Sequence, residues 1–99
     1  MATFADIISN EKPVLVDFYA DWCGPCKMMA PELDKLAGMM NDGAKIIKIN
    51  VDKNQELANS LGVRGVPTLM LYQKGKLLWR DSGMRNAAQL QSIIEKHKS

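Results

Sequence analysis

Trp22-Cys23-Gly24-Pro25-Cys26-Lys27 holds the only two cysteines of a 99-residue chain, and its reading decides the rest. Upstream, Val14-Leu15-Val16-Asp17-Phe18-Tyr19 is apolar apart from one acid, as in a buried strand. From Met28 onward the apolar positions recur at helical spacing, which predicts Cys23 at or near a helix N-terminus. Unpaired N–H groups and the helix dipole favour negative charge there, and so favour thiolate over thiol. The thiolate is the nucleophile of disulfide exchange. Cys26 follows at i+3 on the same face of the first turn, within reach of a bridge after modest local adjustment. Gly24 supplies the freedom for that adjustment, and Pro25 costs little where first-turn N–H groups lack helical partners.

Two plainer readings of the pair are weaker. A purely structural disulfide across so short a loop restricts the unfolded chain little, by roughly 2 kcal/mol before strain. Zinc usually takes four N or S ligands, and the chain offers two cysteines and one distant histidine, His97. Cys-x-x-Cys beside a β/α pattern points to redox chemistry.

The stretch from Val16 to Lys27, Val-Asp-Phe-Tyr-Ala-Asp-Trp-Cys-Gly-Pro-Cys-Lys, resembles the active-site segment of the thioredoxin family. A second block, Gly62-Val63-Arg64-Gly65-Val66-Pro67-Thr68-Leu69, resembles that family's proline loop and the strand after it. The likeness runs from Phe4 onward. It implies a protein-disulfide reductase in which Cys23 attacks the target disulfide and Cys26 resolves the mixed disulfide. Thioredoxin reductase would restore the dithiol with electrons from NADPH, with no cofactor bound by the chain itself. Recipients would be of the peroxiredoxin, methionine sulfoxide reductase or ribonucleotide reductase type.

The resemblance also assigns individual residues. Asp17 would assist proton transfer at the second cysteine, and Lys48 would lie close to Asp17 and influence its ionisation. Pro67 would follow a cis bond and lie against the disulfide, leaving the Val66 backbone free to pair with an extended substrate. A small apolar docking surface would comprise Trp22, Gly24, Pro25, Val66, Pro67, Gly83 and Met84. Two departures stand out. Met84-Arg85-Asn86 replaces the small residues expected after that glycine, so the arginine bears on partner choice. Only Met1 to Thr3 precede the first helix, where the family usually has an additional strand. Two other functions share these residues: a disulfide oxidant or isomerase, and a redox-independent binding accessory. Gly24-Pro25 resembles the reducing members, and a double serine variant that kept its biological role would favour the accessory.

Composition sets the outer bounds. With 46% hydrophobic residues the chain can form one core, as a single domain over residues 1–99. Thirteen basic against 11 acidic residues give a net charge of +2, and no basic block suggests nucleic acid. Met1 to Asn10 lacks a basic n-region, and no apolar run reaches membrane-spanning length. The expectation is a cytoplasmic monomer, with no membrane or nucleic-acid partner.

Read in order, Thr3 and Asp6 predict a helix start, with Phe4, Ile7 and Ile8 on one face. In the strand 14–19, Leu15, Asp17 and Tyr19 face one way and Val14, Val16 and Phe18 the other. Asp17 is then either on the wet face of an edge strand or a buried carboxylate with a raised pKa. Met29, Leu33, Leu36 and Met40 form a core stripe flanked by Met28 and Met39. Pro31 predicts a kink, and Gly38 with Asn41-Asp42-Gly43 predicts the helix end. Ala44 to Val51 is the next strand, with Ile47, Ile49 and Val51 on one face; on the other, Lys48 is either a solvated edge residue or a neighbour of Asp17.

Asp52 to Asn54 predicts a turn and cap before a helix bearing Leu57, Ala58 and Leu61. Strands Thr68 to Tyr72 and Lys76 to Asp81 flank a hairpin signal at Gln73-Lys74-Gly75. Trp79 packs on the last strand. Asn86 with Gln89 predicts the cap of a final helix whose Leu90, Ile93, Ile94 and His97 share a stripe. His97 reads as a solvated cation at the helix end. The fold expected is α/β and three-layered, with about four helices on a mixed four-stranded sheet ordered 44–51, 14–19, 68–72, 76–81.

Overall fold

Alternation of side chains along β1 (Val14–Tyr19) gives the strand two faces, and both are buried. That requires helices on either side of the sheet. In the computed structural model, which describes residues 2–99, α1 (Phe4–Ile8) precedes β1 and α2 (Gly24–Met40) follows it. A 3₁₀ turn at Asn41–Gly43 leads into β2 (Lys45–Asn50), then α3 (Gln55–Ser60), β3 (Thr68–Gln73), β4 (Lys76–Ser82) and α4 (Ala87–His97). The sheet order is β2-β1-β3-β4, as expected. β1 and β2 are parallel, while β1–β3 and β3–β4 are antiparallel. Among the described residues no strand precedes α1, and Met1 lies outside them.

Two cores flank the sheet. Leu15, Leu69 and Leu71 pack with Met29, Leu33, Leu36 and Met40 of α2 and with Leu90 and Ile94 of α4. On the other face Val14, Val16, Phe18, Met70 and Tyr72 pack with Phe4, Ile7 and Ile8 of α1 and Leu57 of α3. The face assignment from alternation therefore holds for β1, and Ile47 and Ile49 join the second core as expected.

Local signals fare unevenly. Thr3 caps α1 in a reciprocal box with Asp6, and Asn86 caps α4 in one with Gln89. The β3–β4 hairpin turns on Lys74-Gly75, both at positive φ as a two-residue type I′ turn requires. Backbone N–H groups of Lys74 and Gly75 donate to Asn10 and Ile8 carbonyls at 2.9 and 3.0 Å, docking the turn on the end of α1. Three expectations need correction. Gly38 lies inside α2, which runs on to Met40, where Asn41 stops it at φ 53°. Asn54 makes no side-chain cap for α3; Asn50 organises that turn, its Oδ1 accepting from the N–H groups of Asp52 and Lys53. His97 is half-buried, with Nδ1 2.8 Å from the Ile93 carbonyl, because the α4 stripe turns its ring toward the preceding turn.

Candidate active site

Strand β1 ends at Tyr19, and the chain turns through Asp21-Trp22 so that Cys23 becomes the N-cap of α2. Gly24 and Pro25 form the first helical positions, where a proline removes no intrahelical bond. The Cys23 Sγ accepts the backbone N–H of Cys26 at 3.2 Å, so the sulfur takes the place a capping oxygen would fill. Cys23 and Cys26 are joined as a disulfide with Cα atoms 5.3 Å apart. Their environment is Ala20 with Tyr19, Val51 and Val66 packed against it.

Cys23 is no more exposed than Cys26: the two retain 4% and 6% of their accessible surface. A cysteine at the helix start is expected to be more open than one a turn further in, and in the oxidised form it is not. Both cysteines belong to the one buried cluster with Ala20. What separates the cysteines is position: Cys23 caps the helix, and Cys26 lies one turn in.

Asp17 is 1% exposed, and neither carboxylate oxygen has a hydrogen-bond partner. Burial pushes its pKa up from 3.8 to about 6, with Lys48 pulling weakly the other way. The wet-face reading of Asp17 is thereby excluded. Asp17 and Lys48 sit opposite one another in the β1–β2 register. They form no ion pair among the described residues; the Lys48 ammonium lies 5.3 Å from the centre of the Tyr19 ring.

Around the disulfide, Trp22 is 70% exposed, Gly24 and Pro25 are exposed, and Val66 is half-buried. Pro67 follows a cis bond from Val66 and is buried, so its ring supports the surface without belonging to it. Met84 is exposed beside Gly83, which adopts φ +100°. Three features were not read from the sequence. The Trp22 indole N–H donates to Asp52 at 2.9 Å. Trp22, Val51, Val63, Arg64, Gly65 and Val66 line a crevice of about 100 Å³. Arg85 folds back over Trp79 and pairs with Asp81. The Asp52 contact had a signal: parallel strands ending together at Tyr19 and Asn50 leave both following turns at the same sheet edge.

A family model described as Thioredoxin matches residues 1–96. The thioredoxin of Bacillus subtilis is 45% identical over 89 residues, covering 90% of this chain and 86% of that protein. A bifunctional thioredoxin reductase/thioredoxin of Mycobacterium leprae is 45% identical over 87 residues, 88% of this chain and 19% of that longer one. Among solved structures, a mutant thioredoxin from Halobacterium salinarum NRC-1 aligns at TM-score 0.85 and 43% identity, over 96% of this chain and 82% of that one. Such likeness reaches sequence and fold together, and in this chain the cysteine pair at the start of α2 is joined as a disulfide. The pair is a redox-active centre that reduces protein disulfides by dithiol–disulfide exchange, and the chain belongs to the thioredoxin family.

Proposed function

We propose that Cys23 is the attacking sulfur and Cys26 the resolving one. The observation that carries this is the capping geometry, Cys23 Sγ accepting the Cys26 N–H at the start of a 17-residue helix. A charge on that sulfur meets the unpaired N–H groups of the first turn, whereas a charge on Cys26 does not. The Cys23 thiolate attacks one sulfur of the target disulfide and expels the other as a thiolate. Cys26 then loses its proton and attacks Cys23 Sγ, which releases the second target sulfur. The target gains two electrons and two protons, and the Cys23–Cys26 disulfide remains.

Asp17 takes up the Cys26 proton. Its support is a carboxylate that burial holds at a pKa of about 6, close to neutrality, on the strand that leads into the cysteine turn. Lys48, opposite it in register, biases that ionisation. Protein substrates dock on Trp22, Gly24, Pro25, Val66, Gly83 and Met84, with Pro67 beneath. The Val66 N–H and C=O have no backbone partner among the described residues, which leaves them for an extended segment. The whole chain works as one domain, since all four strands share one sheet.

A thioredoxin reductase, drawing on NADPH, returns the pair to the dithiol. The fusion of both functions in the Mycobacterium leprae relative supports that partner. Peroxiredoxins, methionine sulfoxide reductases and ribonucleotide reductase are the recipients proposed, in the cytoplasm. Among the described residues no helix is long and apolar enough to cross a membrane.

Serine variants test the roles. Incubated with an oxidised protein, Cys26→Ser should attack and stall as a covalent adduct visible on non-reducing gels and by mass spectrometry. Cys23→Ser should trap nothing. Equal trapping by both, or trapping only through Cys26, would reverse the assignment.

A further inference from the structure

The turn between β4 and α4 is organised from both sides. On one side the Gly83 N–H donates to the Pro67 carbonyl at 3.0 Å, so this turn and the Val66–Pro67 loop are one hydrogen-bonded unit. Thr68 reinforces it: its Oγ1 lies 2.5 Å from the Gly65 carbonyl and 3.3 Å from Ser82 Oγ. On the other side stands Arg85. Its Nη1 donates to the carbonyls of Ser82 and Gly83 at 3.3 and 3.4 Å, and its Nη2 pairs with Asp81. The guanidinium also sits over Trp79, with Cζ 5.8 Å from the ring centre. The cation is turned inward, its side chain 24% exposed and its charge offset by Asp81.

Each Nη1 contact is long and individually weak. Their common effect is specific, because both acceptors belong to the turn that presents Gly83. Gly83 holds φ +100°, a conformation that glycine visits readily but does not enforce. Something outside the residue must fix it, and the planar fork of Arg85 does so through fixed donor directions.

We infer that Arg85 is a positioning residue for polypeptide substrates. It fixes the Ser82–Gly83 turn, the turn fixes the Pro67 carbonyl, and that carbonyl fixes the Val66 backbone on which an extended partner lies. Arg85 touches neither the partner nor the cysteines. The inference rests on the docking surface proposed above. Its consequence is a split between substrates: a polypeptide disulfide needs the ordered loop, whereas a small disulfide needs only the Cys23–Cys26 dithiol.

The test compares Arg85→Ala, Arg85→Lys and Trp22→Ala in reduction of insulin and of the small aromatic disulfide dithiobis(nitrobenzoate). Amide hydrogen exchange at Gly83 is followed in parallel. For Arg85→Ala the expected result is a KM for insulin raised about fivefold to tenfold, the range set by losing one charge-assisted anchor. Its kcat for insulin and its rate with the small disulfide stay unchanged, Gly83 exchange accelerates, and β1 amides remain protected. Arg85→Lys, with no fork, restores the pair with Asp81 but only part of the insulin KM.

Unaltered Gly83 exchange, or an unaltered insulin KM once exchange has accelerated, would overturn the inference. So would an equal loss on both substrates, or full recovery by lysine. Trp22→Ala separates the two readings. If it raises the insulin KM while Arg85→Ala does not, only the role of Arg85 fails; if neither variant matters, the docking surface itself is wrong.

Discussion

Asp17 makes its own contribution to stability fall as pH rises. Its carboxyl is buried without a partner, and its folded pKa of about 6 stands above the ordinary 3.8. The sign of the linkage follows. Below 3.8 the acid is neutral in both folded and unfolded chains and costs nothing. Between 3.8 and about 6 the unfolded chain gives up its proton while the folded one keeps it, so stability falls as pH rises. Above about 6 the loss is complete, at about 3 kcal/mol for a rise of this size. Asp17→Asn should therefore match the parent near pH 4, apart from a constant offset for the buried amide, and gain about 2–3 kcal/mol on it near pH 8. Urea midpoints of the oxidised proteins across that range measure the difference. Parallel curves would mean that water reaches the carboxyl. The same variant should slow resolution by Cys26, so stability and turnover move in opposite directions.

Elements here are set mainly by their ends. Helix α4 begins at Asn86, whose Oδ1 accepts the Gln89 N–H at 2.8 Å while Gln89 returns a bond to the Asn86 N–H at 2.9 Å. A second acceptor comes from α2: Glu32 Oε1 takes the Ala87 N–H at 3.0 Å, and that bond, with Lys35, lowers the Glu32 pKa. The helix carrying the cysteines thus caps the helix that follows the Ser82–Gly83 turn. Asn86→Ala should cost about 1 kcal/mol, typical of a lost N-cap, and fray the first turn of α4. Urea unfolding and amide exchange at Gln89 check this; an unchanged midpoint would mean that Glu32 alone suffices. Caps of this kind are legible because the partners lie three residues apart, as Thr3 with Asp6 and Asn86 with Gln89 do. Asn54 misled because Asn50, four residues earlier, already holds that turn. Arg85 was illegible as a contact because its side chain folds back on the turn just before it, whereas the Asp52 contact left only the coarse signal of two strands ending together.

At the scale of the molecule, the sheet order was readable in part from its connections, a helical crossover for the parallel β1–β2 pair and the Gly75 hairpin for β4 beside β3, and in part from the family resemblance, which placed β3 beside β1. The accessibility of the cysteines was not, because it depends on Val51 and Val66 converging from two separate loops. The same order leaves β2 at an edge. Lys45 donates its N–H to Pro13 and Val51 to Tyr19, so the odd-numbered residues of β2 face β1. Ile46, Lys48 and Asn50 then turn their backbone groups outward, a row on which another strand could build. The Asn54 side-chain amide covers the Asn50 carbonyl at 2.9 Å. Over the remainder stand Lys45 and Lys48, both exposed, with no acid on the strand. In an antiparallel pairing of two copies, Ile46 and Lys48 would have to face each other across the new ladder. That register brings four ammonium groups to the seam, two on each face, with no acid of β2 to balance them. The chain should therefore sediment as a monomer at micromolar concentration in moderate salt. The double variant Lys45→Val, Lys48→Val should associate in a concentration-dependent way, because valine favours strand pairing and the repulsion is gone. Analytical ultracentrifugation decides it: a parent dimer joined through β2, or a double variant that stays monomeric at high concentration, would show that charge is not what guards this edge.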